Sequence, residues 1–365
     1  MTRQSPLYYA DYLQLDRILN AQALRSAEFG PPAHDETLFI IIHQVYELWF
    51  KQILHELNSV LDIFQQDYVN EKQVGIAVSR LERITEIQKI LIDQLRVLET
   101  MTPLDFLDFR AYLSPASGFQ SYQFRLIENK LGILPQKRLR FDQNPYYAQL
   151  RPEHQKDILQ SEKDPSLFEL IEKWLERTPF LEFHGFSFWQ SYQQAVNHLM
   201  AADQQSILDN AQLSEQEKEQ HLQELERNRE HFAALFDAEK HRALVASGSR
   251  RLSYRATQAA LLIHLYRDEP ILHLPFRLLT VLVDIDELFT TWRYRHALMV
   301  QRMIGTKIGT GGSVGYHYLR STLEKHKVFT DLFNLSTFLI PRSKLPPLPE
   351  EVEKSLGFYY SKNSG

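Results

Sequence analysis

No cysteine occurs in the 365 residues, and that absence removes a block of chemistry at the outset. Disulfide frameworks, iron–sulfur clusters, cysteine-ligated zinc, thiol nucleophiles and thiolate-ligated haem are excluded, so any metal rests on histidine, carboxylate or backbone oxygen. A dominant charge of one sign is also lacking: 41 basic and 46 acidic side chains leave a formal charge of −5, with both signs mixed along the chain. Without a basic stripe to neutralise a phosphate backbone, nucleic acid is not an expected partner. Long apolar runs are missing too. A stretch such as Leu38-Phe39-Ile40-Ile41-Ile42 is far short of the ~20 residues that span a bilayer, so no membrane association is expected. The N-terminal MTRQSPLYYADYLQLD places tyrosines and aspartates where an export signal needs an apolar core, and the expected location is cytoplasmic. Finally, there is no Asn-Gly or Asp-Gly turn between alternating apolar residues, so hairpins are not predicted.

What is present is ample material for a helical core, with 44% apolar and 12% aromatic residues. From Thr37 to Phe64 the apolar residues Phe39, Ile42, Tyr46, Trp49, Ile53, Leu57, Val60 and Phe64 recur at three and four, which predicts a long helix with one buried face. His34-Asp35-Glu36 precede it with capping and dipole-favourable groups. Further helices are predicted over 84–98, over 105–112 behind Thr102-Pro103, and over 167–177 behind Asp164-Pro165-Ser166. The fold class is therefore all-α. One helical body is expected over 1–345, carrying a Gln-, Glu- and Lys-rich helical insertion at about 201–245 that protrudes into solvent. A tail over 346–365 follows, and the prolines after Pro341 predict extended chain there.

Four places could carry chemistry. His296 lies in an apolar stripe of Ile285, Phe289, Trp292, Met299 and Met303, with Gly305 as a C-terminal stop. His43 shares a helix face with Phe39, Tyr46 and Phe50. Spacing alone leaves each imidazole either a hydrogen-bonded core residue or a ligand. The segment Gly305 to Gly315 holds five of the thirteen glycines; it closes neither a P-loop nor a dinucleotide fingerprint. It offers instead close backbone approach and the hydroxyls of Thr310 and Ser313 to a small polar group, or else serves as a connector. Arg110 stands beside Phe106 and Phe109 near Ser114-Pro115-Ala116-Ser117-Gly118, either as a surface residue with a buried stem or as a bidentate carboxylate clamp. His34-Asp35 lacks the upstream histidine that a metal phosphohydrolase requires, and is read as helix capping.

The runs His34-Asp-Glu-Thr-Leu-Phe39-Ile-Ile-Ile-His43-Gln-Val-Tyr-Glu-Leu-Trp-Phe-Lys51, Met101-Thr-Pro-Leu-Asp-Phe106-Leu-Asp-Phe-Arg110, Ser117-Gly-Phe-Gln-Ser-Tyr-Gln-Phe-Arg125, Trp292-Arg-Tyr-Arg-His296 and Gly309-Thr310-Gly-Gly-Ser-Val-Gly-Tyr-His-Tyr-Leu-Arg320-Ser-Thr322 resemble the tryptophan 2,3-dioxygenase family, in order, from about Tyr8 to Pro341. The resemblance implies an all-helical homotetramer with one haem b per subunit. Such an enzyme opens the indole ring of L-tryptophan with O2 to give N-formyl-L-kynurenine, the first step of the kynurenine route. It further implies that His296 is the axial haem-iron ligand and that His43 is the distal histidine accepting the indole N–H. Phe39 and Phe106 would line the indole slot, Arg110 would grip the substrate carboxylate, and Thr310 would close over the amino-acid end. Ser117 falls on the distal side, Arg125 at a haem propionate, and Tyr9, Tyr12 and Leu13 in a segment that reaches a neighbouring subunit's pocket. Val314 stands where many members have serine and Tyr122 where leucine is common. A haem-dependent monooxygenase on a related indole or phenol amino acid, and a haem-binding sensor, are the alternatives.

Overall fold

A computed structural model describes residues 6–138, 145–179, 182–183, 186–307 and 315–357. In chain order its helices are α1 (Tyr9–Leu13), α2 (Leu15–Leu19), α3 (Glu36–Phe64), α4 (Glu71–Leu98), α5 (Pro103–Leu113), α6 (Tyr122–Leu131), α7 (Pro152–Ser161) and α8 (Leu167–Glu176). There follow α9 (Phe188–Asp209), α10 (Glu215–Phe236), α11 (Ala238–Ala246), α12 (Tyr254–Leu265), α13 (His273–Ile304), α14 (Gly315–Lys325), α15 (Thr330–Asn334) and α16 (Glu350–Leu356). The fold is all-α. The one departure among the described residues is a two-stranded antiparallel ladder, β1 (Glu182–Phe183) with β2 (Phe186–Ser187), in which Glu182 pairs with Ser187 and Phe183 with Phe186. Strands of two residues are too short for an alternating pattern to register in the sequence.

The local chemistry behind these elements is readable. Thr102 accepts from the backbone N–H of Asp105 while the Asp105 carboxylate accepts from the Thr102 N–H at 2.8 Å, a reciprocal cap that starts α5 with Pro103 in its first turn. Ser166 and Glu169 do the same for α8. Glu36 plays a different part from the predicted cap: its buried carboxylate accepts from the backbone N–H groups of Arg25 and Ser26 at 2.8 and 3.0 Å, tying the incoming chain to the head of α3. Helix α4 starts at Glu71, well before the predicted 84. Val74, Ala77, Val78 and Leu81 supply its buried face there, with Gly75 interrupting the propensity signal and lying 3.7 Å, by its missing Cβ, from Leu274 Cδ1.

The chain divides into two compact units. The first comprises 1–56, 84–164 and 287–327, the second 57–83, 165–286 and 328–365, with the boundaries falling inside α3, α4 and α13. In the second unit α8 packs on α12, α8 burying Leu167, Leu170 and Ile171 and α12 burying the small Ala256, Ala259 and Ala260. The Gln-, Glu- and Lys-rich stretch forms the end of α9, α10 and α11. It is exposed over most of 201–230, and Phe232 and Leu235 anchor α10 in the core. The chain after Pro341 is more ordered than the expected extended tail: Arg342–Lys344 make a 3-10 turn, and α16 buries Val352 and Leu356, whose apolar spacing outweighs the neighbouring prolines. In the first unit the buried faces of α3 (Ile42, Tyr46, Phe50), α4 (Ile87, Leu91, Leu95), α6 (Ile127, Leu131) and α13 (Phe289, Ala297, Met299) supply the apolar interior.

Helix α13 stops as the sequence predicts. Gly305 follows it at φ +61 and returns its N–H to the Gln301 carbonyl at 2.8 Å. An L side chain in that conformation is strained by about 1–2 kcal/mol. Gly305→Ala is therefore expected to lower the unfolding midpoint measured by circular dichroism, whereas Gly30→Ala, where an added Cβ meets nothing, is expected to leave it in place.

Candidate active site

Helical spacing in the first unit brings distant residues to one cavity of about 320 Å³. Helix α3 contributes Phe39, His43, Tyr46, Glu47 and Phe50, and α5 contributes Phe106 and Arg110. The segment after α5 supplies Ser117, α6 supplies Phe124, Arg125 and Glu128, and α13 supplies Trp292, Arg293, His296 and Met299. The two histidines singled out in the sequence, 253 positions apart, therefore line the same space, together with Phe39, Phe106, Arg110, Ser117 and Arg125. Tyr9, Tyr12 and Leu13 are not among the residues lining it. They sit on α1, where Tyr9 and Tyr12 are 71% and 69% exposed. Thr310 and Val314 lie outside the described residues. Tyr122 is not among the residues lining the cavity: its hydroxyl donates to Asp157 at 2.9 Å and its ring stacks on His154, and burial together with the Asp157 bond and charge raises its pKa to about 12.

The two imidazoles are neutral near pH 7 for related reasons. Burial lowers His43 below 6.5, against the opposing pull of the Phe39 carbonyl and Glu47. Its Nδ1–H donates to the Phe39 carbonyl at 2.7 Å, one helical turn back, which assigns the tautomer and leaves Nε2 as an acceptor. Burial, and then the neighbouring His43, lower His296 to about 4. Neither of its ring nitrogens has a hydrogen-bond partner among the described residues. Its ring instead stacks on Trp292, with centroids 5.3 Å apart and planes 7° apart. Phe39 forms an aromatic wall with Phe106 (5.7 Å) and Phe109 (5.5 Å), and lies 4.1 Å from the His43 ring.

The feature that sequence reasoning missed is a buried carboxylate. Glu128 accepts from Arg125 at 2.9 Å, Arg138 at 2.7 Å, Arg293 at 3.0 Å and His326 Nδ1 at 3.2 Å, all inside the protein. Burial alone would raise its pKa, yet the guanidiniums of Arg138 and Arg125 and the His326 hydrogen bond hold it well below the usual glutamate range. The Arg125–Glu128 spacing of three on an otherwise apolar helix face was the one available sign. Three guanidiniums against one carboxylate leave this end of the cavity positive, and Arg125 Nε is buried there without a hydrogen-bond partner.

These residues fit a planar iron macrocycle with acidic substituents. The walls are apolar through Phe50, Leu95, Leu98, Phe124, Met299 and Met303. One neutral imidazole without a hydrogen-bond partner among the described residues is offered to an iron, and among those residues no group of three or more His, Asp or Glu could hold a bare ion. Among the described residues no helix is long and apolar enough to cross a membrane.

Comparison with known proteins agrees with the motifs. A family model described as "Tryptophan 2,3-dioxygenase" matches residues 1–339. The chain is 56% identical over 355 residues to the "Tryptophan 2,3-dioxygenase" of Bdellovibrio bacteriovorus, covering 97% of this chain and 99% of that one. It is 51% identical over 359 residues to the protein of the same name from Dictyostelium discoideum (98% and 90% covered), and 51% identical over 354 residues to that from Alteromonas mediterranea (97% and 98% covered).

Removing the Glu128 charge leaves buried guanidiniums facing one another, a loss of the size seen when one partner of a buried pair is deleted, about 3–5 kcal/mol. Glu128→Gln is expected to lower denaturant stability by that order at neutral pH. Because the folded-state value lies below the ordinary 4.5, the carboxylate's contribution is fully present above about that pH and is lost as pH falls through the lowered value. Acid unfolding profiles of the wild type and Glu128→Gln should therefore converge at low pH.

Proposed function

The chain belongs to the tryptophan 2,3-dioxygenase family, and on that premise we propose how its own residues serve the reaction. It is an oxidoreductase that cleaves the indole C2–C3 bond of L-tryptophan with O2, giving N-formyl-L-kynurenine, the entry to the kynurenine route of tryptophan degradation. The family is haem-dependent, and haem b bound on His296 supplies the oxygen chemistry. Every other contribution comes from the polypeptide. The observation that carries the reading is the meeting of His43, His296 and Arg110 on one apolar cavity.

Phe39 and Phe106 form the slot for the indole, where burial of the ring supplies affinity. His43, with its proton held on Nδ1 by the Phe39 carbonyl, presents Nε2 to the indole N–H. It acts as a positioning acceptor and remains uncharged near neutral pH. Arg110 grips the substrate carboxylate bidentately, which fixes the orientation of the ring and holds C2–C3 at the oxygen-binding face. Thr310 closes over the amino-acid end. Ser117 borders the distal side, and its Oγ accepts from the Phe119 N–H at 3.3 Å. Arg125, at the positive end of the cavity, pairs with a haem propionate, one haem per subunit. Val314 stands where many members have serine, which leaves room for altered affinity, since one changed pocket group shifts discrimination by about 1–3 kcal/mol.

The exposed α1 segment supports an assembly in which Tyr9, Tyr12 and Leu13 complete the pocket of an adjacent subunit within a homotetramer, since large aromatic side chains left in water are a surface in need of a partner. The reaction is placed in the cytoplasm and requires neither membrane nor nucleic acid.

Mass spectrometry of the product under labelled O2 tests the activity: tryptophan gaining two oxygen atoms, both labelled, is expected, and a single added oxygen identifies a monooxygenase instead. Arg110→Leu is expected to raise KM for tryptophan at least tenfold with an unchanged haem spectrum, as befits loss of a charge-assisted pair worth about 1.5–3 kcal/mol. An unaltered KM removes Arg110 from the site. His296→Ala is expected to abolish the Soret band of the purified protein.

A further inference from the structure

Resting on the reading of His296 as the iron ligand, we infer that Trp292 and Tyr46 are positioning residues that set the orientation of its imidazole. A metal-bound histidine ordinarily gives its second ring N–H to a carboxylate or carbonyl, which fixes both its rotation and its basicity. His296 has no such partner among the described residues. What holds its ring is the indole of Trp292, one turn earlier on α13 and parallel to it within 7°.

Trp292 is itself fixed. Its indole N–H donates to the Tyr46 hydroxyl at 3.4 Å, and the Tyr46 hydroxyl donates onward to the Leu91 carbonyl of α4. The Tyr46 oxygen thus accepts from one ring and donates to a backbone, so the rotation of both aromatic rings is determined by one buried hydroxyl. Burial raises the Tyr46 phenol to about 12, against the Trp292 N–H, which lowers it, so it stays protonated and keeps its donor. Phe124 closes on Trp292 at 5.2 Å and prevents the indole from swinging away. The line Leu91, Tyr46, Trp292, His296 runs through α4, α3 and α13, so that three helices determine the angle of a ring that no hydrogen bond from the described residues restrains.

The ring is oriented by π-stacking, so an aromatic replacement keeps a face against it and an aliphatic one releases it.

The test compares Trp292→Phe, Trp292→Leu and Tyr46→Phe in the haem-loaded protein. The iron–imidazole stretching band of the ferrous form is read by resonance Raman, and the rate of haem transfer to excess apomyoglobin is read by absorbance. Trp292→Leu is expected to shift and broaden the band and to speed haem loss by ~10-fold, the lower end of effects seen for groups that orient metal ligands. Trp292→Phe, which keeps a stacking face but loses the bond to Tyr46, should hold the band at its wild-type position while broadening it, and Tyr46→Phe should do the same with little change in KM for tryptophan and a lower kcat. A structural role alone would lower thermal stability in all three and leave the band position unmoved. A wild-type band and transfer rate in folded Trp292→Leu, with His296→Ala losing the Soret band, overturns the proposal alone. A His296→Ala protein that retains haem overturns the ligand reading beneath it, and the proposal with it.

Discussion

The structure of the first unit depends on one carboxylate. Glu128 is the anion shared by the buried Arg125, Arg138 and Arg293, and through them it holds α6, the segment after it and α13 to one another. Burying three guanidiniums without it would carry a desolvation cost that no apolar contact nearby could offset. The arrangement leaves an excess of positive charge at one end of an otherwise apolar cavity. An acidic cofactor edge can lie there, and the opposite, aromatic region remains free for an indole. Arg293 is only three residues from His296 on the same helix, so the ion cluster that shapes the cavity also fixes the helix bearing the proposed iron ligand.

Within that frame the cavity separates two histidines by their partners rather than by their charge. Both are neutral. His43 is bound to a carbonyl and therefore has one defined acceptor nitrogen, suited to receiving a substrate N–H. His296 has no hydrogen-bond partner among the described residues and is held by an aromatic face, which leaves a ring nitrogen for the metal of the proposed reading. Burial supplies the neutrality in each case, and the neighbours supply the role.

Much of this was legible in the chain. The apolar stripes of α3 and α13 display the 3.6-residue period so strongly that an imidazole inside each stands out, and Thr102-Pro103 with Asp105 announces the head of α5. Gly305 signals the end of α13 for a conformational reason that the backbone bears out. Less legible was anything set by contacts between distant segments. The partners of Glu128 on α13 and beyond α14 lie 165 and 198 positions away, and no local pattern announces such a pairing. The early start of α4 was hidden by Gly75, and α16 by the prolines before it, because burial of Val74 and Val352 overrides local propensity. The motifs that resemble the family named roles for single residues; the geometry adds which side chains hold those residues in place.

Phe39 meets His43 twice, through its ring at the aromatic wall and through its carbonyl at Nδ1. The first contact depends on the side chain, while the second belongs to the backbone and is present whatever residue occupies the position. Mutation at position 39 can therefore reshape the slot, and with it the range of aromatic substrates admitted, without disturbing the proton on His43. The fold has placed specificity and tautomer at one address but under separate inheritance, which leaves the pocket free to drift toward new ring substituents while its acceptor stays intact.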